Sequence, residues 1–375
     1  MPETQSRLRR WLFPIFAAFL SLIITLLALE LSFWLILHKK WPRKPSIPTV
    51  NWVILTPRGR RLKPDLNEVY WSEISGQEVK IRTNSLGFRA GEIPPEKTPG
   101  AFRILVLGDS ITLSAFLPEE QTYPDLVEKI LREKKPVEVI NAGVYDVGLE
   151  EELWILKESG LKLNPDLVLL AFYLNDSRPP WGFEDEYYRL PAWLINSSKT
   201  LEQSSYLYKW LWKRFLVRHF LGRKMTSRFD WIKLYRTTDW QTDQAAYEKL
   251  IRSASLDWGA AWTGNSWPKI YSGLEELEKL AGENKFKPAI VIFPVAVQVR
   301  SEFADDYPQQ KIREYCESRR IPCLDLLPIL RAHKTEKIFF DHCHLTELGN
   351  QIIAQPIAEF LLRQTDLSGR NVAPR

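Results

Sequence analysis

The chain has 375 residues, 45% hydrophobic and 26% charged, with a formal net charge of +5. That length and apolar content suit one large folded domain with additions, not a disordered chain. Much of the small basic excess flanks one apolar segment and no nucleic-acid-binding motif occurs, so no nucleic-acid partner is expected. An odd set of cysteines, Cys316, Cys323 and Cys343, gives no disulfide framework. The spacing of Cys316 and Cys323 would allow a pair outside the cytoplasm, but it also fits a helix end followed by a buried strand, and both are read as unpaired.

Residues 1–10 form a basic tail. Residues 11–37 are apolar apart from Glu30, a stretch longer than the roughly 20 residues a bilayer span needs. Arg7, Arg9 and Arg10 precede it, and Lys39, Lys40, Arg43 and Lys44 follow it. A cleaved signal peptide has a shorter core and a small-residue cleavage site, and Trp34 and Trp41 suit an interface. An uncleaved, single-pass signal anchor is therefore expected, with the lipid bilayer as its partner. Basic flanks at both ends do not decide orientation. Long domains cross largely regardless of such charges, so the main domain is expected to be extracytoplasmic, on the periplasmic side of a bacterial inner membrane. Glu30, near the outer end, is expected to snorkel and not to serve a function.

Residues 38–100, rich in Pro and polar side chains, read as a tether and a small β-rich lead-in. Gln77 to Thr83 alternates Val79 and Ile81 with charged residues, as a half-exposed strand does. Asn84 to Arg89 reads as a turn with Phe88 buried. From residue 101 to 177 strands alternate with helices. Ile104–Leu107 is a short apolar run that stops at Gly108-Asp109-Ser110. A helix is expected over 123–133, a strand over 137–140 ending in Asn141-Ala142-Gly143, a helix over 150–159, and a buried strand over 167–174 ending in Asn175-Asp176.

Residues 178–270 break that rhythm and hold nine of the fifteen tryptophans, with a candidate helix over 206–220. This insertion is read as a helical subdomain packing its aromatics on itself. A lid over the crevice or an element resting on the membrane, with Lys213, Arg214, Arg218, Arg223 and Lys224 near anionic lipid, are the alternatives. The alternation resumes over 271–365: helix 274–280, strand 289–293, helix 309–319, strand 321–326 and a last helix carrying Ile352, Ile353, Ile357, Phe360 and Leu361 on one side. Residues 366–375 read as a disordered tail.

A serine just past the carboxyl end of a central strand points into the crevice where open α/β sheets bind ligands. An isolated Gly-Asp-Ser more often caps a helix. What changes the reading is Asp341-His342-Cys343-His344 far downstream, just before the last helix. Three residues apart on a tight turn, Asp341 can hold one nitrogen of His344 and leave the other for the Ser110 hydroxyl, as in a hydrolytic triad. Gly143 can bring its N–H close because it lacks a side chain. With the Asn175 amide and the Ser110 N–H it would make an oxyanion hole. Asp109 is expected to brace the turn. Asp341, His342, Cys343 and His344 look like a metal cluster, but consecutive positions cannot all face one ion, and no metal or other cofactor is expected.

The ordered set Gly108-Asp109-Ser110, Gly143, Asn175-Asp176 and Asp341-x-x-His344 resembles the four sequence blocks of the SGNH (GDSL-type) hydrolases. The lead-in Thr83-Asn84-Ser85-Leu86-Gly87-Phe88-Arg89 resembles that of their membrane-anchored members. The resemblance implies a flavodoxin-like three-layer α/β/α sandwich with strand order 2-1-3-4-5. It also implies Ser110, Gly143, Asn175 and His344 as signature residues, Asp341 as third triad member, and no metal. It further implies a serine esterase acting on acyl or acetyl esters, such as those of an acylated glycan or lipid, through an acyl-enzyme. An O-acyltransferase on a cell-envelope glycan using the same triad, and a non-catalytic scaffold whose aromatic insertion binds glycan, remain open at this point.

Overall fold

The computed structural model describes residues 3–37, 52–56, 59–177, 201, 205–211, 230–303 and 305–364. It divides into two compact units. The first joins Met1–Pro45 to Glu186–Arg223, and the second joins Ser46–Asp185 to Lys224–Arg375. The sequence boundary drawn at residue 270 is thus not where the units part, since the chain from Lys224 onward goes with the sheet.

The first unit contains α1 (Glu3–Leu37). Its window Phe13–Ile36, 24 residues, is long and apolar enough to cross a membrane. At about 1.5 Å per residue the window extends for about 36 Å, against a hydrocarbon core of about 30 Å. A short helix, α2 (Tyr206–Leu211), lies in the same unit. Residues 212–220 of the expected longer helix, and Trp181, Trp193 and Trp212, fall outside the described residues, as do the tether over 38–51 and the tail.

The second unit is built on five parallel strands: β5 (Phe102–Leu107), β6 (Val137–Asn141), β7 (Leu167–Tyr173), β8 (Lys287–Phe293) and β9 (Cys323–Asp325). Their order is β6-β5-β7-β8-β9, the expected 2-1-3-4-5. The central strand β7, Leu-Val-Leu-Leu-Ala-Phe-Tyr, is buried at every position, which requires cover on both faces. Leu105 pairs with Ile140 on one side and Val168 on the other, so β5 is central too. The edge strand is shorter than the expected 321–326: only Cys323–Asp325 pair with β8. The cover is amphipathic helix, including α3 (Tyr123–Arg132) and α4 (Glu347–Gln364). Asn350 of α4 is buried and accepts a hydrogen bond from the Tyr123 amide at 2.8 Å, tying the last helix to the first long one.

Ahead of the sheet stand two hairpins, β1 (Val53–Thr56) with β2 (Gly59–Leu62) and β3 (Asn67–Ser72) with β4 (Gln77–Arg82). In β4, Val79 and Ile81 are buried and their neighbours exposed, the expected alternation. The turn after it is organised by Asn84, whose Oδ1 accepts from the Leu86 and Phe88 amides at 3.1 and 2.9 Å. Phe88 is buried, and Gly87 takes a left-handed φ of 81°.

Candidate active site

The turn that carries Ser110, the candidate nucleophile, is made by crowding and capping. β5 ends at Leu107, and a side chain at Gly108 would fall on Thr112. Asp109 then caps the short helix α5 (Ser110–Leu113), its Oδ1 accepting from the Ile111 amide at 2.8 Å. Its Oδ2 accepts from Asn175 Nδ2 at 3.1 Å. Asp109 therefore braces its own turn, as expected, and also the turn at Asn175. Ser110 opens the helix, where an amide has no carbonyl one turn back to bond.

The candidate base, His344, comes from the loop before α4. Phe339 and Leu345 form an antiparallel bridge, and the Thr346 amide donates to the Ile338 carbonyl at 3.0 Å, so the loop closes on itself. At its tip Asp341 Oδ1 accepts from the Cys343 and His344 amides at 2.9 and 2.8 Å. That fixes the carboxylate and leaves Oδ2 for His344 Nδ1, at 2.7 Å. The other ring nitrogen, Nε2, lies 3.0 Å from Ser110 Oγ. The Ala296 amide donates to the His342 carbonyl at 2.8 Å, which ties the loop to the end of β8. The edge of Phe116 packs on the imidazole with centroids 4.7 Å apart.

The charges agree with these contacts. Burial alone would raise the Asp341 pKa, but the imidazoles of His344 and His342 and the backbone amides hold it well below the usual carboxylate range. Burial works to lower the His344 pKa, yet the Asp341 charge and hydrogen bond, with Asp109 farther off, carry it above the ordinary imidazole value. Burial pushes the Cys343 thiol far up, which keeps it protonated and unsuited to attack. Asp341, His342 and Cys343 do bring ligand atoms within 4.8 Å of one another. Both Asp341 oxygens are already engaged, one by the two loop amides and one by His344.

Of the expected oxyanion donors, Asn175 and Ser110 stand beside the same turn, linked through Asp109. Gly143 is as close as expected: a Cβ there would fall on the Leu113 backbone nitrogen. Its amide, however, donates to Asn141 Oδ1 at 2.9 Å, while Asn141 Nδ2 donates to the Thr112 carbonyl at 2.8 Å. Asn141 thus straps the Gly143 loop to the nucleophile helix. A side-chain rotamer decides this, and no spacing in the sequence signals it.

A second feature escaped sequence reading. Arg89 is 2% exposed and donates to the carbonyls of Leu113 at 2.5 Å, Ser114 at 2.9 Å and Leu117 at 2.7 Å. Tyr70 donates to the Ala115 carbonyl, and Ser75 to that of Phe116 at 2.5 Å. Every carbonyl from Leu113 to Phe116, and that of Leu117, is thus held from the lead-in. Burial lowers the Arg89 pKa to about 10, against Glu119 and Tyr70, which raise it, so the guanidinium stays charged at neutral pH. The segment after residue 230 flanks the base: Trp231 packs edge-on against His342 at 4.6 Å and against Trp258 at 5.6 Å.

No family model and no curated protein matches the chain. Among solved structures, it is similar to an acetyl xylan esterase, AlAXEase, at 14% identity and TM-score 0.37, over 69% of this chain and 98% of that one. It is also similar to the psychrotrophic esterase EstA from Pseudoalteromonas sp., at 13% identity and TM-score 0.38, over 70% and 97%. A member of the lipolytic protein G-D-S-L family from Veillonella parvula gives 11%, 0.36, 70% and 99%. The site described above rests on this chain's own geometry. The sheet order is the 2-1-3-4-5 that the resemblance to SGNH (GDSL-type) hydrolases implies, with Ser110 just past the end of β5 and the Asp341-x-x-His344 loop before the last helix.

Proposed function

We propose that the protein is a membrane-anchored serine ester hydrolase. The reading is carried by one observation: His344 Nε2 lies 3.0 Å from Ser110 Oγ while Nδ1 lies 2.7 Å from Asp341 Oδ2. Ser110 Oγ attacks the ester carbonyl, and Nε2 takes its proton as the C–O bond forms. Asp341 keeps the ring in the tautomer with hydrogen on Nδ1 and stabilises the imidazolium. The oxyanion is met by the Ser110 amide and Asn175 Nδ2, and by the Gly143 amide when Asn141 Oδ1 yields it. Collapse expels the alcohol, which leaves with the proton from Nε2, and an acyl-Ser110 remains. Water, deprotonated by His344, then attacks the acyl group and restores the serine. The substrate is an acyl or acetyl ester, and α1 holds the enzyme in the membrane with its second unit on the extracytoplasmic side.

The test is covalent labelling of the full-length protein in detergent with a fluorophosphonate, followed by turnover of aryl esters of increasing acyl length. Labelling and hydrolysis that both vanish in Ser110→Ala support the proposal. A well-folded wild-type protein that neither labels nor turns over any ester of the panel overturns it.

A further inference from the structure

Glu30 sits inside the apolar window Phe13–Ile36 of α1. A carboxylate at such a position is expensive and needs a partner or an escape to water. Here it has partners. Ser205 Oγ donates to Oε2 at 2.7 Å, and the amides of Tyr206 and Leu207 donate to Oε1 and Oε2 at 2.7 and 3.0 Å. Ser205 is also the cap of α2 in the ordinary sense, its Oγ accepting from the Tyr208 amide at 3.0 Å. The first amides of a helix have no acceptor of their own, and a side chain from the neighbouring helix supplies it. One turn along α1, Phe33 meets Trp210 with ring centroids 5.1 Å apart. Around this junction the apolar surface is uncovered: Leu31 is 57% exposed, Leu35 59%, Leu201 48% and Leu211 37%.

We propose that the segment Ser205–Leu211 is embedded in the bilayer beside α1, with lipid acyl chains covering both, and that Glu30 is the pin that holds it there. The inference rests on reading α1 as a membrane span and is independent of the ester chemistry. In hydrocarbon, amides without an acceptor are costly, so the first turn of a short helix enters only with an acceptor in place. A carboxylate with three donors satisfies both sides of the junction, and the leucines then face lipid. Snorkelling, the expectation for a lone glutamate, is replaced by pairing. The basic residues of the membrane-resting alternative, Lys213, Arg214, Arg218, Arg223 and Lys224, lie outside the described residues.

The experiment uses the full chain in liposomes that contain a lipid with a photoreactive diazirine in its acyl chain. Adducts are mapped by mass spectrometry, with fluorophosphonate labelling of the same samples as a separate reading of Ser110. Adducts on both Phe13–Ile36 and Tyr206–Leu211 in the wild type support the proposal. So does a fall of about tenfold on Tyr206–Leu211 alone in Glu30→Leu, the scale expected for losing charge-assisted hydrogen bonds. Adducts on α1 with none on Tyr206–Leu211 overturn it. Equal adducts on Tyr206–Leu211 in wild type and Glu30→Leu overturn the role of Glu30. Absence of adducts from both segments removes the membrane span and this inference together, whatever Ser110 labelling shows.

Discussion

His344 is the residue through which pH will act. It must be neutral to accept the Ser110 proton, and its pKa is raised above the ordinary value of about 6.5 by Asp341. Protonation on lowering the pH therefore removes the base early. The acid limb of kcat/KM is expected above the ordinary imidazole value, measured on an aryl acetate, and a limb below that value would contradict the assigned pair. Asp341→Asn takes away the charge that raises the pKa, so the limb should move to lower pH, while kcat falls on the order of 10³–10⁴-fold. Gly143→Ala tests the close approach. Its Cβ would land on the Leu113 nitrogen, so the nucleophile helix or the loop has to shift. Overpacking of this kind costs about 1–3 kcal/mol, and a lowered Tm with reduced kcat is the expected outcome.

At the scale of elements, the lead-in is a clamp on the segment that follows the nucleophile. Hydrogen bonds from Arg89, Tyr70 and Ser75 leave no carbonyl between Leu113 and Leu117 to solvent or to chance. Phe116, in the middle of that segment, is the ring that packs on His344. Arg89→Met should take the guanidinium from the Leu113 and Leu117 carbonyls, while that of Ser114 keeps the Leu117 amide, and cost on the order of 3 kcal/mol, read by chemical or thermal unfolding. Tyr70→Phe removes one donor and should cost about 1 kcal/mol. A change below about 0.5 kcal/mol for Arg89→Met, the size of an ordinary surface substitution, would mean that the clamp contributes nothing. What was legible beforehand follows the same physics. The runs at 104–107, 137–140, 167–174 and 289–293 were readable because strands buried on both faces need unbroken apolar sequence. That Ser110, Asp341 and His344 would meet was readable because such a pairing needs particular atoms at particular strand and helix ends. Arg89 was not, since an arginine in a polar stretch reads as surface, and the three carbonyls it holds come together only after folding. The β1–β2 and β3 strands were missed because they are short and interrupted by polar residues.

At the scale of the whole molecule, the chain passes between its two units at Pro45–Ser46, Asp185–Glu186 and Arg223–Lys224. If Ser205–Leu211 is embedded with α1, cutting the chain after α1 does not free the unit that carries the sheet. A site-specific protease sequence placed between Ser46 and Val50 should give, on cleavage, a large fragment that still sediments with membranes. The same fragment from Glu30→Leu should appear in the supernatant. Release of the wild-type fragment would count against the second attachment.

The serine and histidine that meet at 3.0 Å are 234 positions apart in the chain. During synthesis the hydroxyl therefore leaves the ribosome long before the imidazole it meets. The pair can meet only once the loop before the final helix is in place, and that helix is tied to Tyr123 through Asn350. A chain stopped before Asp341 would therefore carry the Ser110 hydroxyl without the imidazole that lies 3.0 Å from it in the full chain.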